Sequence, residues 1–415
     1  MRAPSSLIAA MCLALAAAII SWEGGAVAED VAPAAAPSPA PPLDAAYLNQ
    51  AQSKLGFRLI ARMGQQTNGN GNLVTSPASL ATVLALLDLG ANPEMHSALL
   101  KTLAFEQASN GESTSKLAAL RASAKVVQTG AGGPLTSANA IVFDRKAAPY
   151  PRIIPELTQA GAQVTVEPLD DPATIERINV WVKEQTAGLI PSIIDKAPRE
   201  GGLVALNALH FKDRWKEAFD PSLTRTARFH GMAGNGIEVP MMQKEGKLQF
   251  REDDAFVAVD LPYAADRFRL VVITTRDKPA RAGAFRPVAD WLTGDGFEQR
   301  PGELSLPRFA LTSSADLLHA LDALGLHPAR ASPGALAGLS PTPMSIAQVL
   351  QRTEIRVDEA GTEAAAATAV MTTRAVATDF VKMTVDKPFM FALRDAQSGL
   401  VLLTGYVDNP NDSAS

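Results

Sequence analysis

The sequence of 415 residues has a single cysteine, Cys12, and it lies inside the apolar run "LIAAMCLALAAAII" at 7–20. Without that run the chain has no cysteine, so no disulfide can staple it and no thiolate can serve as nucleophile or metal ligand. Aromatics are scarce at 6%, so the core must rely on Leu, Val, Ile and Ala. There is no long Lys/Arg run, and the net charge is −5. That balance gives no basic face for a nucleic acid. None of the five histidines, His96, His210, His230, His319 and His327, belongs to an H-E-x-x-H motif, so no metal site is expected. The G-x-S-x-G elbow, the phosphate loop and the dinucleotide fingerprint are all missing. The stretch "STSK" at 113–116 fits S-x-x-K, yet the companion S-D-N and K-T-G triplets are absent. No catalytic residue and no cofactor is therefore expected.

What is present begins with a leader. Arg2 precedes the apolar run, and "AVA" at 26–28 is a small-residue cleavage site before Glu29. Fourteen residues are short for a membrane span, so 1–28 reads as a signal peptide cut near Ala28–Glu29. The mature protein is expected to be secreted or periplasmic, and the Ala/Pro-rich leader points to a bacterial source. Residues 29–43 form an Ala/Pro linker that cannot bury a core.

A folded domain is expected over 44–410. Helices are predicted at 44–64, at 75–91 from the cap Ser76 with Pro77 behind it, and near 93–105, 113–127 and 172–187. Strands are predicted at 203–211, 256–263, 269–276, 302–311, 380–393 and 400–407. A helical first half and a strand-rich second half argue for an α+β fold rather than alternating βαβ units.

One stretch fits neither pattern. "VDEAGTEAAAATAVMTTRAVATDF" at 357–380 is too apolar for an ordinary solvated loop and has almost nothing large enough for a core. Ala favours helix, while Thr and Val favour strand.

Several collinear blocks supply a context for it. "NLVTSPASLATVLALLDLGA" (72–91), "SANAIVFD" (137–144), "INVWVKEQTAGLIPSII" (178–194) and "LVALNALHFKDRWKEAFDPSLTRTARFHG" (203–231) occur in order. "VPMMQKEGKLQF" (239–250), "ELSLPRF" (303–309), "VDEAGTEAAAATAV" (357–370) and "DKPFMFALRD" with "GLVLLTGYVDNP" (386–410) follow. Together they resemble the serpins, the serine protease inhibitors, over roughly 45–410. The resemblance implies helices packed around a large central mixed β-sheet with smaller sheets, and an exposed reactive loop near the C-terminus. It also implies a suicide-substrate inhibitor: a protease cleaves the loop and is trapped as an acyl-enzyme while the hinge side inserts into the central sheet. The alternative is a non-inhibitory binding or carrier protein on the same fold.

The resemblance assigns the hinge to Glu359, Gly361, Thr362, Glu363, Ala364, Ala365, Ala366, Ala367 and Thr368. With period two, Thr362, Ala364, Ala366 and Thr368 share one face, all small and uncharged, and Glu363 is free to face solvent. Small side chains can enter between packed strands without overpacking them. No proline interrupts 357–380, so every backbone N–H can join a ladder. By the family's spacing the scissile bond is Ala375–Val376, suiting elastase- or subtilisin-like proteases; the alternative, Arg374–Ala375, suits trypsin-like ones. Cysteine proteases are left open as targets.

Ser76, Ser79 and Asn207 match positions beneath the centre of the sheet, and Trp215 one near the start of insertion. Gln351 stands where the family usually has histidine, a departure that leaves the local network open. The stretch 93–106 has Lys101 as its one Lys or Arg, so no heparin-type cofactor is expected. A monomer is expected.

Overall fold

Eleven consecutive residues of one helix, Pro77–Leu87, are buried, and the rest of the fold is arranged around it. The computed structural model describes residues 45–67, 71–105, 116–121, 133–198, 202–234, 236–361 and 379–413, all in one compact unit. The helices that matter below are α1 (Ala45–Gln66), α2 (Pro77–Leu87), α3 (Pro93–Thr102), α4 (Ile153–Gln159) and α5 (Pro172–Gln185). α2 starts as its sequence dictates. Ser76 is extended, Pro77 sits in the first turn, and the Ser76 side chain accepts from Ser79 N.

The strands in chain order are β1 (Leu73–Thr75), β2 (Leu135–Asp144), β3 (Gln163–Glu167), β4 (Gly202–Phe211) and β5 (Arg225–His230). β6 (Gly236–Glu252), β7 (Phe256–Pro262), β8 (Phe268–Thr275), β9 (Glu298–Pro307) and β10 (Phe309–Asp316) follow. The last are β11 (Ser345–Val357), β12 (Val381–Thr384), β13 (Phe389–Asp395) and β14 (Leu400–Val407).

Two sheets result. A five-stranded sheet runs β10-β11-β4-β2-β3, and a nine-stranded sheet runs β1-β14-β13-β8-β7-β6-β9-β12 with β5 beside β6. The long β6 pairs with β5, β7 and β9, so what would be separate small sheets join through it. In the five-stranded sheet β11 and β4 are parallel, with Leu350 beside Leu206, Gln351 beside Asn207 and Glu354 beside His210. Their neighbours β10 and β2 run antiparallel to them.

The five-stranded sheet is covered on both faces. One face joins the main core through Ala205, Leu209, Ile355 and Phe143. The other packs Val204, Leu206, Ala208 and Leu350 against Ile178 and Val182 of α5 and Ile190, Ile193 and Ile194 beyond it. Burial on both faces explains why β4 reads as a nearly unbroken apolar run.

The helices expected over 44–64, 75–91, 93–105 and 172–187 and the strands over 203–211, 256–263, 269–276 and 400–407 are found within a few residues of their expected ends; the single strand expected over 302–311 is divided between β9 and β10 and that over 380–393 between β12 and β13, while of 113–127 only 116–121 is among the described residues. β11, β6 and the helical segment Ala282–Thr293 have no counterpart in the sequence reading. In β11 polar residues such as Gln348, Gln351, Arg352 and Glu354 break the apolar signal, although several are shielded by neighbouring strands.

Candidate functional site

The parallel pair β4–β11 meets the start of α2 at a cluster of buried amides and hydroxyls. Gln351 Oε1 accepts from Thr75 Oγ1 and from Ser76 N, each at 2.7 Å. Its Nε2 donates to Ser76 O at 3.1 Å and reaches Asn207 Oδ1 on β4 at 3.3 Å. Asn207 Nδ2 donates in turn to Asn139 Oδ1 on β2 at 2.8 Å. Ser76 Oγ donates to Ser79 Oγ at 2.8 Å. Every one of these residues is buried. The chain of bonds thus crosses from α2 through β11 and β4 to β2, spanning the parallel pair from beneath.

A buried amide costs free energy unless it is hydrogen-bonded, and these amides are. Parallel ladders are slightly less stable per residue than antiparallel ones. Nearby, Thr353 Oγ1 is fully buried and has no hydrogen-bond partner among the described residues. On the opposite face Glu354 lies beside His210. Burial raises the pKa of Glu354, with the Arg352 charge pulling the other way.

At the upper end of the seam, β11 runs into the turn Asp358–Gly361. Asp358 N donates to Gly361 O at 2.8 Å. Gly361 has φ +134°, and a Cβ there would lie 2.4 Å from Asp213 O and 2.6 Å from Arg214 Cα. Only glycine fits this position. The turn is gripped by the segment after β4. Trp215 Nε1 donates to Asp358 O at 2.8 Å, Trp215 N to Ala360 O at 3.0 Å, and Phe219 N to Glu359 O at 2.8 Å. Trp215 is itself stacked on Tyr263, with ring centroids 4.3 Å apart.

The Glu359 carboxylate is buried and accepts from Arg308 Nε at 2.7 Å and from Thr224 Oγ1. Burial alone would raise its pKa, but the hydrogen bonds from Arg308 and Thr224 outweigh it and hold the carboxyl below its ordinary value. Lys244, beside Phe219, is lowered by burial while Glu217 opposes the shift.

The structure thus brings Ser76, Ser79, Asn207 and Gln351 into one network, and places Trp215, Glu359 and Gly361 together at the mouth of the seam. Thr362, Glu363, Ala364, Ala365, Ala366, Ala367 and Thr368, and the bond candidates Arg374, Ala375 and Val376, lie outside the described residues. Thr75, Asn139, Thr224 and Arg308 belong to the site and were missed. Asn139 had a signal, a lone amide inside the apolar strand "ANAIVF"; Arg308 and Thr224 had none. The S-x-x-K lysine, Lys116, has its Nζ 3.7 Å from the Tyr47 ring centroid, and Ser113 lies outside the described residues. Among the described residues no cluster of three or more His, Cys, Asp or Glu could hold a metal.

Comparison with known proteins places this arrangement. The family described as Serpin (serine protease inhibitor) matches residues 50–410. The leukocyte elastase inhibitor of Bos taurus is 29% identical over 360 residues, 83% of this chain and 94% of that protein. An uncharacterized serpin-like protein of Thermococcus kodakarensis is 30% identical over 359 residues, covering 83% and 82%. Among solved structures, the native state of the thermophilic serpin tengpin aligns with a TM-score of 0.74 at 23% identity, over 88% of this chain and 94% of that one. Human thyroxine-binding globulin in complex aligns at 0.76 with 19% identity, over 89% and 100%. Likeness at these last identities speaks for the fold alone.

Proposed function

The chain belongs to the serpin family of serine protease inhibitors, and from that premise we propose that it is an inhibitor that traps its protease as a covalent acyl complex. The observation that carries this reading is the parallel β4–β11 seam, held by a polar network and ending in the turn at Gly361. Thr362 to Val370, which follow that turn directly, are small enough to become a strand between β4 and β11. The nine residues carry one charge, Glu363, which alternation places on the face away from Thr362.

In this mechanism the chain performs no turnover. The protease nucleophile attacks the loop carbonyl, the amide bond breaks, and the acyl-enzyme forms. The freed hinge side then enters the sheet. Insertion parts Gln351 from Asn207, and the backbone of the new strand pairs with the freed backbone groups of β4 and β11. Ala375–Val376 is the proposed reactive bond, with Arg374–Ala375 as the alternative that would redirect the inhibitor to trypsin-like enzymes. Residues 1–28 direct export, and the mature protein works as a monomer outside the cytoplasm without metal or heparin-type cofactor.

The decisive experiment is a gel. Incubation with trypsin, elastase and subtilisin should give an SDS-stable complex with at least one. Mass spectrometry of the cleaved product should show a new N-terminus at Val376; one at Ala375 would move the bond. Loop cleavage should also raise the thermal midpoint markedly. Thr362→Arg should convert the inhibitor to a substrate by forcing a charge beneath the sheet.

A second reading, a serpin-fold carrier, is favoured by one observation. A cleft of about 950 Å³ lies between α1 and the helical segment Ala282–Thr293, with Lys54, Arg58, Arg62 and Arg286 among its walls. Cleavage of the loop without trapping of any protease would decide for it.

A further inference from the structure

The five-stranded sheet ends at β10 on one side. An end strand offers its outer backbone groups to any other strand, and the usual guards are a lysine or proline on the edge, or a bulge. β10 has none of these. Its sequence is "FALTSSAD", with Asp316 at the far end as its one charge. It pairs with β11 at eight successive positions, Phe309 to Asp316, with no register shift.

Two contacts show which groups face outward. Arg308 N, just before the strand, donates to Pro240 O on β6 at 3.0 Å, and Thr312 N donates to Ser413 O at 2.8 Å. Backbone groups of an antiparallel strand alternate between its two sides. The amides of Ala310, Ser314 and Asp316 therefore share the outer side with Thr312. Ser314 and Asp316 are exposed, and Ala310 is half-buried.

Ser413 belongs to the segment that runs on from β14, and a single buried amide holds that segment in place. Asn72 Nδ2 donates to Asn409 O at 2.8 Å and to Asp412 O, and its Oδ1 accepts from Asp408 N at 2.8 Å and from Asn409 N at 3.0 Å. Asn411 Nδ2 adds a bond to Glu238 O on β6 at 2.8 Å. Asn411, Asp412 and Ser413 are themselves exposed. A cleft of about 520 Å³ has Ala310, Pro410 and Asn411 among its walls. The segment is thus held to the edge by hydrogen bonds rather than by close packing.

We propose that residues 411–413 are a strap that closes the β10 edge, and that the partner it keeps out is the same edge of a second copy. The edge suits itself. An antiparallel pair centred on Thr312 sets Ala310 opposite Ser314 in both directions, which is the isologous contact a two-fold dimer requires. The facing side chains are small and uncharged, so nothing in them repels. Each strand gains ladder bonds through amides that now face outward, and gives up only the bond to Ser413. The inference stands apart from protease trapping, because it concerns the outer edge of the sheet and not the seam.

The test measures mass by light scattering over a range of concentrations, with amide hydrogen exchange and thermal unfolding beside it. The parent should stay monomeric. A chain ending at Pro410 keeps the residues that the family match covers and loses the strap. Its mass should rise with concentration towards that of two chains, and exchange at Ala310 and Ser314 should slow as it does. Asn72→Ala, which frees the strap in the full-length chain, should associate as well. Thr312→Pro added to the shortened chain should return it to a monomer, because it removes the outer N–H and leaves the bonds to β11 in place. A shortened chain that stays monomeric at every concentration would overturn the inference. Association that Thr312→Pro leaves intact would overturn it too, since another surface would then be pairing. So would a parent that already dimerises, or association that comes only with a lowered thermal midpoint, which would assign it to partial unfolding. None of these outcomes bears on whether the loop traps a protease.

Discussion

The β4–β11 seam and the β13–β14 hairpin are both buried strand pairs, yet a network of buried amides crosses the seam. Leu400–Val407 is buried throughout, and β13 carries Phe389, Met390, Phe391, Ala392 and Leu393 into the same core. Those side chains interdigitate; a Cβ on Gly405 would lie 2.3 Å from the Phe391 ring. The seam also has apolar pairs, Leu350 facing Leu206 and Ile355 facing Phe211, but among them Gln351 faces Asn207 and Thr353 faces Leu209. Apolar packing is lost whenever strands separate, because close-packed surfaces have no substitute partner. Hydrogen bonds can be exchanged at nearly constant free energy if a new strand supplies donors and acceptors. On the trapping mechanism proposed above, one pair stays permanent and the other is the pair that exchanges.

Substitutions should separate the two pairs by size of effect and by what they disturb. Phe391→Ala in the hairpin should cost about 3–5 kcal/mol, as buried aromatic truncations do, and urea unfolding should show the whole domain weakened. A loss under about 1 kcal/mol would erase the contrast.

Next in size comes the clasp at the top of the seam. Glu359→Gln removes the charge that Arg308 and Thr224 hold, and should cost about 2 kcal/mol, the scale of hydrogen bonds to a charged group. The same bonds give a pH signature. The folded pKa of Glu359 is lowered, so its contribution is complete above the ordinary carboxylate value of 4.5 and is lost as pH falls through the lowered one. Acid titration of thermal stability should show this loss in the parent and not in Glu359→Gln.

Gln351→Ala should cost about 1–3 kcal/mol by leaving Thr75, Ser76 and Asn207 short of partners. Hydrogen exchange should rise along β4 and β11 while β13 and β14 stay protected. Equal loosening of both pairs would contradict their independence.

The smallest change runs the other way. Thr353→Val replaces an unpartnered buried hydroxyl with a methyl, so it should stabilise the seam by up to about 1 kcal/mol. Sealing the seam should lower the yield of trapped protease relative to cleaved inhibitor.

Much of this was legible beforehand, and unevenly. The hairpin announced itself, because unbroken apolar runs such as "LVLLTGYV" are what a buried strand requires. The start of α2 was readable from Ser76 and Pro77, since capping is local chemistry. β11 stayed hidden, because Gln351 and Glu354 look like surface residues until β4 and β10 flank them. The partners Arg308 and Thr224 stayed hidden too, standing 51 and 135 positions from Glu359.

The sequence by itself determined the class of the fold, the caps and apolar strands, and the small uncharged alternation after Gly361, because each depends on neighbours within a few residues or on side-chain size alone. That only glycine fits at 361 was decided by the fold, which brings the backbone of Asp213 and Arg214 against it. Tertiary structure decided which strands lie beside one another, and with that everything about the seam: that Gln351 meets Asn207, that Glu359 meets Arg308. Those pairings join residues far apart in the chain, and no local preference encodes them. They arise only when burial of the apolar strands has fixed the register, leaving the polar side chains to be satisfied where they land.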